Sequence, residues 1–169
     1  MSDYRARVIG PATVRILANN LPDLAEGETV FVSIERVRSE NSHKHQFAWV
    51  KDAWASLPEA EAFQPWAETP ETLRKHALIA TGFHRLYTLD CGSNAAAQRV
   101  RAELIRAETK AEGYAVGQVI GPVVRIWTPE SQSYRAMGKA RFQESKEAIL
   151  GWIAAKIGVA PEELKRNAA

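Results

Sequence analysis

The chain is predicted to adopt an α+β fold: a mixed or antiparallel sheet of about five strands packed against three to four helices, with a long C-terminal helix. Three observations predict it. Segments of period two and segments of period 3.6 share the chain without alternating strictly, which disfavours a doubly wound parallel sheet. The stretch "FQESKEAILGWIAAKIGV", residues 142–159, carries a helical apolar stripe that ends at a glycine. A length of 169 residues, 46% hydrophobic and 25% charged, suits one globular domain spanning 1–169, with a connector over 58–70.

"RARVIG" and "TVRIL" alternate apolar and polar residues around Gly10-Pro11 and predict a short hairpin or bent strand. "ETVFVSIERVR", residues 28–38, is the clearest strand, with Val30, Val32 and Ile34 on one face and Phe31, Ser33 and Glu35 on the other. Ser39-Glu40-Asn41-Ser42 supplies capping candidates for a helix from His43 to Leu57, stopped by Pro58. Its core stripe is expected to be Phe47, Val50, Trp54 and Leu57, with Trp49 outside it. From Pro58 to Pro70 three prolines and no sustained period predict a loop.

Thr69-Pro70-Glu71 places a cap, a first-turn proline and an acid at the start of a helix running to Thr81 and ending at Gly82. "RLYTLDCG" reads as a strand. Ser93 or Asn94 caps the next helix, "AAAQRVRAELIRAETK". "YAVGQVIGPVVRIW" reads as strand, turn and strand around Gly121-Pro122. The last long helix spans Ala136 to Ile157, with Phe142, Ile149, Ile153 and Ile157 in the stripe and Ala148 and Trp152 widening it. Gly158 and Val159 match a Schellman ending, and a short helix is expected over 161–166.

Several chemistries find no support in residue spacing. No apolar run approaches the ~20 residues of a membrane span, and "MSDYRARVIG" lacks an apolar signal core, so a cytoplasmic chain is expected. Cys91 is the single cysteine, which excludes an internal disulfide. His43 and His45, two residues apart, point about 200° apart on a helix and cannot share an ion there. No paired-cysteine or H-x-x-x-H motif is present, and the ten glycines are scattered, so no metal or nucleotide cofactor is expected. Cys91 beside Asp90 is compatible with thiol chemistry, but also with a small apolar filler.

Charge distribution says more than the net charge of +2. Arg36, Arg38, Lys44 and Lys51 gather around the first long helix; Arg135, Lys139, Arg141 and Lys146 gather at the start of the last. The acids Glu59, Glu61, Glu68 and Glu71 cluster elsewhere. These segments are either solvated helix faces or two halves of a basic groove. In the second case Arg36, Arg38, Lys44, Lys51, Arg135, Lys139 and Lys146 would contact phosphates. Trp49 and Tyr134 would stack on unpaired bases. Trp49 could equally pack against another helix or subunit. Two alternatives stand beside this binding role: a metal-dependent nuclease using His43 or His45 with Asp52 or Glu40, and a protein-interaction module with an acidic partner.

The order "VFVSIERVRS", a His/Lys-rich helix with aromatics, "TPETLRKHALIATG" and "SQSYRAMGKARFQESKEAILGWIAAKIGV" resembles the NinB (Orf) recombination-mediator family of lambdoid phages. The resemblance rests on Arg38-Ser39, Phe47, Thr69 to Thr81, Ser133, Arg135, Met137, Phe142 and Gly158-Val159, covering about two thirds of the chain in pieces. It departs at His43-Lys44, where the family tends to have Asn-Arg, and at residues 85–113, which have no counterpart. The resemblance implies a phage-type homodimer that binds single-stranded DNA. Such a protein assists a recombinase or annealing protein on strands coated by single-strand-binding protein. A dimer contact through the apolar C-terminal helix is expected.

Overall fold

The computed structural model describes residues 6–17, 27–29, 40–133 and 136–167; within the first long helix, side chains are described from His45 onward. The fold is α+β, and the chain divides into two compact units, residues 1–34 and 35–169.

In the first unit, β1 (Ala6–Gly10) and β2 (Thr13–Ile16) form an antiparallel hairpin. The turn is Pro11-Ala12, with Ala12 held at φ 54°, where proline presets the first central position and the second must turn left-handed. The strand expected over 28–38 lies outside the described residues.

The second unit begins with α1 (Glu40–Ala55). It starts earlier than its capping signals suggested, so Glu40, Asn41 and Ser42 lie inside the helix. It ends at Ala55, two residues short of the expected Leu57, and Pro58 stands directly before the next helical turn. The connector is not a plain loop: α2 (Glu59–Ala62) and a 3-10 turn (Pro65–Ala67) occupy it, and the turn buries Trp66 and Ala67. Trp54 Nε1 donates to the Ala67 carbonyl at 2.7 Å, which ties the connector to α1.

Helix α3 (Pro70–Ala80) has a reciprocal cap: Thr69 Oγ1 accepts from the Thr72 amide at 3.1 Å, and Thr72 Oγ1 accepts from the Thr69 amide at 2.9 Å. After Gly82 comes β3 (His84–Asp90), then α4 (Asn94–Glu112), capped by Ser93 and closed by Gly113 at φ 75°. The hairpin β4 (Val116–Ile120) and β5 (Val123–Pro129) follows. Helix α5 (Lys139–Ile157) then ends with Gly158 at φ 73° and a Val159 amide donating to the Ala154 carbonyl at 3.1 Å, a Schellman ending. A short α6 (Pro161–Asn167) completes the described chain.

The five described strands form two antiparallel sheets. β3, β5 and β4 form an antiparallel sheet in that spatial order, separate from the β1–β2 hairpin. Helix α4 covers one face through a small cluster of Ala97, Ala115, Val124 and Ile126. The larger core lies among α1, α3, α5 and α6 and contains Trp49, Leu73, Leu78, Ile149 and Ile153.

Two packing expectations are corrected. On α1, the buried face runs through Gln46, Trp49, Val50 and Ala53, while Phe47 is 47% exposed. The helix is therefore rotated toward Trp49. On α5, Phe142, Ile149, Leu150 and Ile153 are buried within the subunit, and Trp152 packs against the same core. Most of the apolar stripe is therefore committed to the subunit's own core, with Trp152 and Ile157 half-buried at its edge.

Candidate nucleic-acid interface

Three polar side chains are buried together where α1, the β5–α5 connection and α5 meet. Gln46 (1% exposed), Gln132 (8%) and Ser145 (fully buried) come from α1, the β5–α5 connection and α5. A buried polar group is costly unless it is bonded. Gln46 Nε2 donates to Gln132 Oε1 at 3.1 Å, and Gln132 Nε2 donates to Ser145 Oγ at 2.8 Å. Ser145 in turn donates to the Phe142 carbonyl at 2.8 Å. Among the described residues, Gln46 Oε1 has no bonding partner.

Arg74 on α3 joins this group. Its guanidinium donates to Gln132 Oε1 and grips the Glu71 carboxylate with Nε at 2.9 Å and Nη2 at 2.7 Å. Burial alone would raise the Glu71 carboxyl, but hydrogen bonds and charges from Arg74 and Lys75 outweigh it and hold it below the usual range. The far side of the Arg74 guanidinium lies over the Phe47 ring, 5.3 Å from its centroid.

This network joins the two cation-rich segments singled out in the sequence, since Gln46 belongs to one and Gln132 directly precedes the other. The predicted site residues are placed as follows. Lys51 is exposed on α1, and Lys139 is exposed as the first residue of α5. Neither forms an ion pair among the described residues. Lys146 is half-buried on α5. Lys44 lies in α1. Arg36, Arg38, Tyr134 and Arg135 lie outside the described residues. Trp49 is corrected: at 0% exposure its ring belongs to the core and offers no face to a base.

Other charges are already paired. Arg141 binds the Glu130 carboxylate through two nitrogens, at 2.8 and 2.5 Å, and its guanidinium stands 5.0 Å from the Phe83 ring centroid. The hydrogen bond from Arg141 holds the Glu130 carboxyl below its usual range. Ser133 caps a local turn, accepting from the Ala136 amide at 3.3 Å, while Gly138 stands at the start of α5. His45 and Asp52 of α1 stand seven residues apart, about 10 Å along the axis. Among the described residues, no three His, Cys, Asp or Glu side chains gather as a metal-binding group.

Comparison with known family models, characterised proteins and solved structures finds no match.

A second cluster was not anticipated. The His76 ring stacks on Trp66 at 5.5 Å, lies 5.5 Å from Trp152, and its Nδ1 bonds the Tyr114 hydroxyl at 2.9 Å. Burial, with the nearby Lys156 charge, pushes the imidazole down to about 4. Burial pushes the Tyr114 phenol up to about 12. Lys156 sits over Trp66 and Trp152 and pairs with Glu61 at 2.9 Å. The acids near the connector are therefore partly engaged in holding the core helices. Sequence spacing carried no signal for this cluster, since its members are distributed from residue 61 to residue 156.

Proposed function

We propose that this protein binds single-stranded nucleic acid without catalysis of its own, as an accessory factor in phage- or prophage-type homologous recombination or replication. The observation that supports this reading is the Gln46–Gln132 hydrogen bond, which fastens the two cation-rich segments to each other. Two exposed lysines, Lys51 and Lys139, extend from these segments, and the partly patterned resemblance to NinB proteins points the same way. In this reading Arg36, Arg38, Lys44, Lys51, Arg135, Lys139 and Lys146 hold phosphates, and Tyr134 stacks on a base. Phe47, exposed and carrying the Arg74 guanidinium on one face, takes the aromatic role first assigned to Trp49. A single-strand-binding protein or a phage recombinase is the partner such a factor would serve.

The test is a fluorescence titration with a labelled oligonucleotide at several salt concentrations. Each phosphate neutralised should contribute a slope of about −0.7 in log affinity against log salt. The double variant Lys51→Glu, Lys139→Glu should bind ~10-fold or more weakly and with a shallower slope. Absence of binding at low ionic strength refutes the proposal. Strand cleavage on adding a divalent metal would replace it with a nuclease reading.

A further inference from the structure

The β3 strand stands at the edge of its sheet. β5 pairs one side of it, and no described strand pairs the other. Leu86, Tyr87 and Leu89 are each nearly half exposed, at 48%, 46% and 46%. Proteins commonly protect such an edge with proline, lysine, a bulge or extreme shortness. β3 has none of these, and its charged side chains, Arg85 and Asp90, stand toward its two ends: it reads His-Arg-Leu-Tyr-Thr-Leu-Asp and keeps unbroken register with β5 over seven residues.

The backbone phase of the open edge can be worked out. The Glu130 amide donates to the Phe83 carbonyl, and the Cys91 amide donates to the Pro122 carbonyl. Antiparallel ladders alternate bonded and non-bonded pairs. Residues 85, 87 and 89 therefore bond inward to β5, and His84, Leu86, Thr88 and Asp90 direct their amides and carbonyls outward.

We propose that β3 pairs antiparallel with β3 of a second copy of this chain, about a two-fold axis at Tyr87, joining two three-stranded sheets into one of six strands. In that register His84 lies opposite Asp90 of the second copy, and Leu86 lies opposite Thr88. All four are outward-bonding positions, so every free amide and carbonyl of both edges finds a partner. A shift by one residue would set outward groups against inward ones, and a shift by two would leave end groups unpaired.

Side-chain chemistry agrees with the same register. The strand ends bring an imidazole opposite a carboxylate twice, by symmetry, so the ring nitrogen left over from the His84 bond to the Ile79 carbonyl faces the carboxylate oxygen left over from the Asp90 bond to the Gly92 amide. Arg85 does not oppose it, because Glu112 of its own subunit pairs with it at 2.5 Å. On the α4 face, the two Tyr87 rings meet at the axis. Each borders an apolar groove of about 260 Å³ lined by Tyr87, Leu89, Leu104, Glu108, Val124 and Ile126. The second copy's ring extends that lining across the seam.

Sedimentation or light scattering at ~10–100 µM should give twice the 18.8 kDa chain mass, within the range of ordinary weak dimers. Thr88→Pro is the discriminating variant. The Thr88 amide points away from β5, so proline removes no bond within the subunit but blocks the pairing at its centre. It should weaken self-association by ~100-fold or more while leaving the circular dichroism spectrum unchanged. If that variant fails to fold, cysteine cross-linking in a Cys91→Ser background decides. Tyr87→Cys faces its own copy across a non-bonded pair, at a Cα separation of about 4.5 Å that a disulfide can span. Thr88→Cys faces Leu86 and should not link. A monomeric wild type, a Thr88→Pro variant that still dimerises, or equal linking by both cysteine variants overturns the proposal.

Discussion

Replacing Gln132 by alanine should be among the most damaging polar substitutions in the chain. Its side chain accepts from Gln46 and from Arg74 and donates to Ser145. Truncation leaves a buried amide and a buried guanidinium N–H without an acceptor. Ser145 keeps its bond to the Phe142 carbonyl, so its loss is small. An orphaned neutral donor costs about 1–3 kcal/mol, and an orphaned charged one at least as much. Arg74 retains Glu71, which limits that part. The total expected is about 3–4 kcal/mol. Gln46→Leu should behave differently, because it removes a donor together with an acceptor that already has no partner among the described residues. Its cost should be within about 1 kcal/mol of zero. In the Gln46→Leu background, Gln132→Ala should then cost about 1–2 kcal/mol less than in the wild type. Urea unfolding followed by tryptophan fluorescence measures all four corners of the cycle at constant m-value. A Gln132→Ala cost below ~1 kcal/mol, or no coupling between the two sites, would refute the argument that this network fastens α1 to α5.

Three further outcomes are expected. Trp49→Ala should lose about 3–5 kcal/mol in urea unfolding, whereas Lys51→Ala and Lys139→Ala should stay within about 0.5 kcal/mol, since only the first empties core volume. Gly117→Ala should cost about 1–3 kcal/mol in thermal melts, because its added carbon would stand 2.7 Å from the Ile105 side chain and 2.9 Å from that of Ile126. His76 titrates near 4 when folded and near 6.5 when free, so the unfolded chain takes up its proton first as pH falls. Its contribution is complete above pH 6.5 and is lost between 6.5 and 4. Allowing for its partly open side, the loss should be roughly 2 kcal/mol, read as the difference between wild type and His76→Gln across that window.

Much of the chain was legible without its fold because the signals were local. Thr69-Pro70, Ser93 and Gly158-Val159 mark helix ends through the stereochemistry of a few residues, and all three do so in the structure. The choice of helix face was less legible. Phe47, Val50, Trp54 and Leu57 make a stripe of steps three, four and three; Gln46, Val50, Ala53 and Leu57 make one of four, three and four. Hydrophobicity favours the first; the molecule keeps its Val50, Trp54 and Leu57 against the core but turns Phe47 out and buries Gln46 and Ala53. The decision lies with Gln132, which accepts from Gln46 and is itself held by Arg74, a bond that no inspection of α1 alone could reveal.

By itself, then, the sequence determined the α+β class, most helix and strand boundaries, and the two stretches where positive charge collects, because each depends on neighbours within a turn or two. Only the tertiary structure decided that Trp49 lies inside and Phe47 outside, that Arg141 is neutralised by Glu130, and that no described strand pairs the outer edge of β3. Those outcomes are set by partners tens of residues away along the chain, and packing chooses among them by which buried polar groups and which apolar surfaces can be satisfied together.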